Sequence, residues 1–225
     1  MIKTITIFSI AITSFFTVLT PGKAQKYIPA QRWTIEMLPI DAVTFNKAFT
    51  SRKKAISRQA DYIKKNGILT LPLGTGKKVI FKDNKGVPYD EDRKSYRYLG
   101  QVNVLGAYLV EQNLFESTEY ILIDKKTGRV NTLAGEPDIS PDGKTLFNTL
   151  YNPYEEHADI SPPSQDIYLS VITQGKISKP YRISYNKMMI TGYAWETNST
   201  VVICYKLREE DKDNEVKYAR LRLII

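Results

Sequence analysis

The sequence predicts an all-β domain, mainly strand with one N-terminal helix, in which antiparallel β-meanders follow one another along the chain. Three observations carry that reading. From Ile68 onward, short runs rich in Tyr and β-branched residues recur, with turn chemistry at nearly every junction. Tyr120 to Phe147 shows the rhythm most clearly: Ile121 and Ile123 alternate with Leu122 and Asp124, and Thr127-Gly128 closes a hairpin onto Val130 and Leu133. A tight Ser140-Pro141-Asp142-Gly143-Lys144 turn follows, where Pro141 presets φ and Gly143 supplies the positive φ that ends it. Finally, no strand–helix alternation follows Asn66, which argues against a Rossmann-type enzyme.

Taken in order, residues 1–24 read as an export signal. Met1-Ile2-Lys3 carries one positive charge, Thr4 to Thr20 is apolar with interspersed Thr and Ser, and Pro21-Gly22 breaks the segment. Gly22 and Ala24 place small residues three and one positions before a cut ahead of Gln25, as a signal peptidase requires. The alternative is an uncleaved membrane anchor, for which the segment is only marginally long against the ~20 apolar residues a span needs. No Cys flanks the cut, which excludes a bacterial lipoprotein anchor, and no later apolar run is long enough to span. The expectation is an exported protein, periplasmic or secreted in a bacterial context, with no stable membrane insertion after cleavage. Removal of residues 1–24 leaves 225 − 24 = 201 residues, enough for one domain with a full core.

Residues 25–67 are predicted to form an N-terminal extension with a basic helix. Trp33, Ile35 and Met37 alternate between the breakers Pro29 and Pro39, a pattern for a short strand closing onto the later sheet. Asp41 is the expected N-cap of a helix running to about Lys65, on the spacing of Val43, Phe49, Ile56, Ala60 and Ile63, with Asn66-Gly67 as its stop. Lys47, Arg52, Lys53, Lys54, Arg58, Lys64 and Lys65 stand there against Asp61 alone, within a net charge of +8 that falls to +6 without Lys3 and Lys23. Such a patch attracts anions, with Arg52, Lys53, Lys54 and Arg58 as candidate contacts; a solvated helix face accounts for the same charges.

The β domain is predicted over residues 68–225. Its strands are expected at 68–73, 78–82, 95–99, 107–112, about 120 and 130, 145–150, 166–172, 179–183, 187–193, 201–207 and 216–223. Gly135 to Phe147, GEPDISPDGKTLF, resembles the start of a blade in WD40-like propellers of the TolB type, where a Ser-Pro-Asp-Gly-Lys turn joins the first two strands. Asp124 to Gly128 resembles the outer hairpin of a preceding blade, and Trp195 to Tyr205 a degenerate copy with Thr197-Asn198-Ser199 in place of the turn. The spacing from Asp138 to Ala194 exceeds the usual blade period of about 40–45 residues, and the polar loop Tyr151 to Gln165 supplies the excess. There is room for about four blades, the smallest usual number, so an incomplete propeller-like stack or a β-sandwich stays open beside a closed ring. The resemblance implies a scaffold whose loops bind things. It implies no catalytic residues.

Candidate chemistry is sparse. The single His157 lies among Glu155, Glu156 and Asp159 in the long polar loop. That loop is the candidate ligand-binding segment, because long insertions on rigid scaffolds carry function; a solvated acidic loop is the plainer reading. One His and one distant Cys do not make a zinc site, and no EF-hand-like loop is present, so no metal is expected. Gly74-Thr75-Gly76-Lys77 fails the Walker pattern at Leu71 and Lys78 and reads as a hairpin turn. No cofactor is expected. There is no Gly-x-Ser-x-Gly elbow, and Asp138 and Asp142 are read as bonding local backbone amides. Cys204, in an apolar run, is expected to be a packed core thiol. Export makes nucleic acid an improbable partner, leaving an unknown protein or cell-envelope component. The favoured reading is therefore an exported, non-catalytic binding or interaction module. The alternatives are a hydrolase with carboxylates or His157 at a propeller mouth, and a structural subunit docking on an envelope assembly.

Overall fold

The computed structural model describes residues 32–52, 55–58, 62–86, 91–153, 163–207 and 215–225. The chain is mainly strand, with one α-helix among the described residues and several antiparallel sheets. It begins with β1 (Thr34–Pro39), α1 (Ala42–Ser51) and β2 (Ile56–Ser57), then makes the hairpin β3 (Ile68–Pro72) and β4 (Lys78–Lys82). The meander β5 (Ser95–Val102), β6 (Ala107–Asn113), β7 (Thr118–Asp124) and β8 (Val130–Leu133) follows, with β2 added at its β5 edge. A third sheet holds β9 (Asp138–Ile139), β10 (Thr145–Asn152), β11 (Ser164–Thr173), β12 (Lys176–Ile177) and β13 (Tyr181–Asn186), with β11 pairing both β12 and β13. The last sheet runs β14 (Met188–Thr197), β15 (Thr200–Leu207), β16 (Val216–Ile224), and is completed at its outer edge by β1.

Alternation of side chains turns these sheets into layers. Tyr108, Val110, Ile121 and Ile123 point one way from β6 and β7, onto Leu69 and Leu71 of the hairpin. Their neighbours Leu109 and Leu122 point the other way, onto Ile139 and Leu146 of the third sheet. On that sheet's far face, Phe147, Ile167 and Leu169 meet Trp195, Val201, Ile203 and Leu221 of the last. Helix α1 then lays Phe45 and Ala48 over Ala194 and Val202. Because the inner strands are covered on both faces there, the short runs Ala107–Val110, Ile121–Ile123 and Leu146-Phe147 are apolar at consecutive positions. The hairpin lies at one end of the stack and the helix at the other.

The Ser140–Thr145 turn forms as expected. Gly143 has φ +75°, Ser140 Oγ donates to Asp142 Oδ1 at 2.7 Å, and the Thr145 amide donates back to Ser140 Oγ at 2.9 Å. Cys204 departs from expectation: it is half-buried, on the helix-facing side of β15, where Thr191 Oγ1 donates to its Sγ at 3.3 Å.

The long basic helix is corrected. Asp41 caps it as expected, accepting from the Thr44 amide at 2.7 Å, but it ends at Ser51 instead of near Lys65. Val43 and Ile63, two members of the expected apolar stripe, are 76% and 75% exposed, while Phe45 and Ala48 make the buried face. Thr50 and Ser51 turn their hydroxyls back onto the carbonyls of Asn46 and Lys47, a habit that favours termination. Beyond Arg52, Ala55 and Ile56 gain more from the core under β5 than from another helical turn. Ile56 and Ser57 pair with Val102 and Gln101 as β2.

That pairing depends on Gly100. It sits at an irregularity of β5 with φ +145°, and a Cβ there would lie 2.4 Å from the Ser57 carbonyl oxygen. We expect Gly100→Ala to cost about 1–3 kcal/mol through backbone strain alone, read as a lower urea midpoint. The amides of Ile56 and Ser57 should lose hydrogen-exchange protection first; unchanged protection there would show that β2 does not rely on this close approach.

Candidate functional site

Three sheet edges end on the same side of the stack. β2 is the edge of the second sheet, β9 of the third and β14 of the last. Where they converge, beside the C-terminus of α1, an open cleft of ≈ 290 Å³ is bounded by Phe49, Arg52, Ile56, Arg58, Glu136–Asp138 and Ile190–Tyr193. The cleft is polar on one side, with Arg52, Arg58, Glu136 and Asp138, and apolar on the other, with Phe49, Ile56, Pro137 and Ile190.

Its polar side is held by contacts from separate elements. Arg58, just past β2, pairs with the Glu136 carboxylate. Both groups are well exposed, so the pair contributes little stability and acts mainly to tie two segments together. From β14, the Tyr193 hydroxyl donates to the Glu136 carbonyl at 2.9 Å, and its ring packs on Phe147 with centroids 5.0 Å apart. Burial, with Asp138 and Glu136 nearby, raises the Tyr193 phenol well above its ordinary value, keeping it a donor. Glu136 is thus gripped through side chain and backbone, and Pro137, which restricts Glu136 before it, fixes its own φ ahead of the residue that follows.

That residue is Asp138. One oxygen accepts from the neighbouring Ile139 amide at 2.9 Å, and no other described residue donates to it. Burial pushes its carboxyl up to about 6, against the smaller opposing effects of the Ile139 amide and the Arg52 charge. Arg52 lines the same cleft. Its Nη1 donates to the Phe49 carbonyl at 2.7 Å, and its guanidinium carbon lies 3.5 Å from the centre of the Phe49 ring. These contacts fix the guanidinium plane without a carboxylate partner among the described residues.

Of the residues singled out in the sequence, the structure brings Arg52 and Arg58 together at one cleft, on the helix terminus and beside β2. They do not share a helix face. Lys53 and Lys54 lie outside the described residues, as do Glu155, Glu156, His157 and Asp159. The strands flanking that last segment are paired up to Asn152↔Ser164. Just beyond, Gln165 Oε1 accepts from the amide of cleft-lining Ile190 at 2.8 Å. Sequence reasoning missed Asp138, Glu136, Tyr193, Phe49 and Ile190 as site residues. Asp138 does bond a local amide, as expected, but only one of its oxygens is used.

The elevated Asp138 carboxyl has a consequence for stability. Between about pH 4 and pH 6 the folded chain keeps a proton that the unfolded chain has released, so stability falls as pH rises through that interval. Above about pH 6 the penalty is complete; below about pH 4 it is absent. A carboxyl raised from 3.8 to about 6 corresponds to a penalty of about 3 kcal/mol for ionising in the fold. Solvent screening at a half-buried site reduces that to about 1–2 kcal/mol. Asp138→Asn should therefore be more stable than wild type by that amount in urea unfolding at pH 7.5, with the gap closing by pH 4. A gap independent of pH would mean that Asp138 ionises freely in the folded chain.

No protein family, curated protein or solved structure matches this chain, so its function has to be argued from the cleft itself.

Proposed function

We propose that the chain is a non-catalytic binding module with a small-ligand site in the cleft between Arg52, Asp138 and Tyr193. The observation that carries this reading is the convergence of three sheet edges and a helix end around a cleft that holds both a half-buried carboxylate and a guanidinium, neither paired with an opposite charge among the described residues. Buried charge without a partner destabilises a fold, and its presence in a concave, partly apolar site is how ligand recognition is commonly built. The scaffold is read as a propeller-like stack of meanders. What supports that is the succession of sheets, three of which open on a cleft-side strand, with the last closed by β1 from the start of the described chain. Export is part of the proposal, supported by the apolar segment Thr4 to Thr20 and the small residues Gly22 and Ala24.

A hydrolase is the second reading, favoured by the Asp138 carboxyl titrating near 6, where a general acid works well. Among the described residues it lacks a free partner: the other cleft carboxylate, Glu136, is engaged by Arg58.

Amide shift mapping separates the possibilities. With a mixed panel of amino acids, small carboxylates, amines and sugars at millimolar concentration, the responding amides should cluster at 55–58, 136, 138 and 190–193. Response elsewhere, or none, would overturn the cleft as a binding site. Turnover of a nitrophenyl ester or glycoside that disappears in Asp138→Asn would move the assignment to the hydrolase.

A further inference from the structure

We propose that the ligand of this cleft is a small zwitterion carrying a primary ammonium and a carboxylate, of the size of an amino acid or a dipeptide, with Asp138 taking the ammonium and Arg52 the carboxylate. The inference rests on the cleft being the binding site, and it follows from which charges there are already satisfied.

Four charged side chains line the cleft among the described residues. Arg58 and Glu136 neutralise each other, and the backbone of Glu136 is held by Tyr193. They shape the wall and leave no net charge for a ligand to meet. Arg52 and Asp138 remain. They are near enough for the Arg52 charge to act on the Asp138 carboxyl, yet they form no ion pair with each other. Two opposite charges that line one cleft without pairing with each other call for something that carries both complements.

Each group also selects by its hydrogen bonds. Asp138 has one oxygen on the Ile139 amide and the other without a protein donor among the described residues. An ammonium offers three donors and a positive charge, which is what a desolvated carboxylate lacks. Arg52 commits Nη1 to the Phe49 carbonyl and its face to the Phe49 ring. The remaining N–H groups lie in a fixed plane, the geometry that binds a carboxylate through two parallel bonds. A simple cation would satisfy Asp138 and meet repulsion from Arg52, and a simple anion the reverse. A zwitterion avoids both.

Size and lining narrow the class further. The cleft, at ≈ 290 Å³, falls at the lower limit of the roughly 300–1,000 Å³ usual for ligand pockets, too small for a nucleotide or an oligosaccharide to be enclosed. Phe49, Ile56, Pro137 and Ile190 offer an apolar wall for the ligand's side chain. Of the groups that line the cleft with Asp138, Arg52, Arg58 and Glu136 are charged side chains, and the Tyr193 phenol stays neutral in the working range because burial raises it. Ammonium affinity should therefore follow the ionisation of Asp138, weakening as pH falls below about 6, with Glu136 held by Arg58.

The test is calorimetric titration of the purified protein with the standard amino acids and a set of glycyl and leucyl dipeptides. The best binder is then compared with its N-acetyl and amide derivatives. Blocking either end should weaken binding at least tenfold. Asp138→Asn should erase the difference between the free and N-acetyl forms, and Arg52→Gln the difference between the free and amide forms; thermal melting confirms that each variant folds. Equal affinity for free and blocked forms, or a best binder that lacks one of the two charges, overturns the zwitterion assignment while leaving the cleft in place. Absence of heat for every probe, together with silent amides at 136, 138 and 190–193, overturns both readings.

Discussion

The pairing of β1 with β16 is the constraint on which the cleft depends. The two strands come from opposite ends of the described chain and run antiparallel from Thr34↔Ile224 to Pro39↔Ala219. The Ile40 amide extends the ladder to the Tyr218 carbonyl at 3.1 Å, and Asp41 then caps the helix. The strand register therefore sets where α1 begins and which of its faces meets the last sheet. Phe45 and Ala48 land on Ala194 and Val202, and just past that buried face the chain delivers Phe49 and Arg52 to the cleft. Closing so long a loop costs little more than closing a short one, since each doubling adds only about 0.6 kcal/mol. Burial of Trp33 and partial burial of Ile35 and Met37 in the central core oppose that cost.

Two carboxylates on one sheet show how differently the fold treats a buried charge. Asp166 on β11 is 4% exposed, and it is supplied with Arg182 at 2.9 Å, the Ser184 hydroxyl and the Tyr168 hydroxyl. Removing Arg182 would strand a buried charge, and losing either hydroxyl would leave it less well solvated, so the cluster is a structural one. Asp138, half-buried on the edge strand β9, has a single donor among the described residues, the amide of its own neighbour. The surroundings could have furnished more: Arg58 is directed to Glu136, and Tyr193 to the Glu136 carbonyl. Donors that pass over the most desolvated carboxylate in the cleft leave it open to something that comes and goes.

Most strands were legible because period-2 alternation and turn chemistry are local properties. The Ser140–Lys144 turn, the hairpin at Gly74–Lys77 and the turn at Asn198-Ser199 all fall where their residues place them. The end of α1 was not legible. Ile56 fits a helical stripe as well as a strand, and only the β5 edge, supplied from far along the chain, decides between them. The site was hidden for the same reason. Arg52 and Arg58 stand out as charges, but their partners Phe49 and Glu136 are set by helix termination and by a contact spanning a long separation. Asp138 reads as an ordinary turn residue, since nothing in its neighbours announces that it will be buried beside β14.

The cleft exists because the edges around it stop short. β2 and β9 each contribute only two residues, and β14 loses register with β15 between Ile190 and Gly192. A bulge of this kind bends a strand away from its neighbours and interrupts the row of backbone groups that would otherwise recruit another strand. Had β9 continued back through Pro137 and Glu136, its backbone would have been held in a regular ladder, but Pro137 has no amide to donate and Glu136 is drawn instead towards Arg58 and Tyr193. Truncation therefore serves two ends at once. It leaves sheet edges that do not invite aggregation, and it opens, between them, a space lined by a carboxylate and a guanidinium that do not pair with each other.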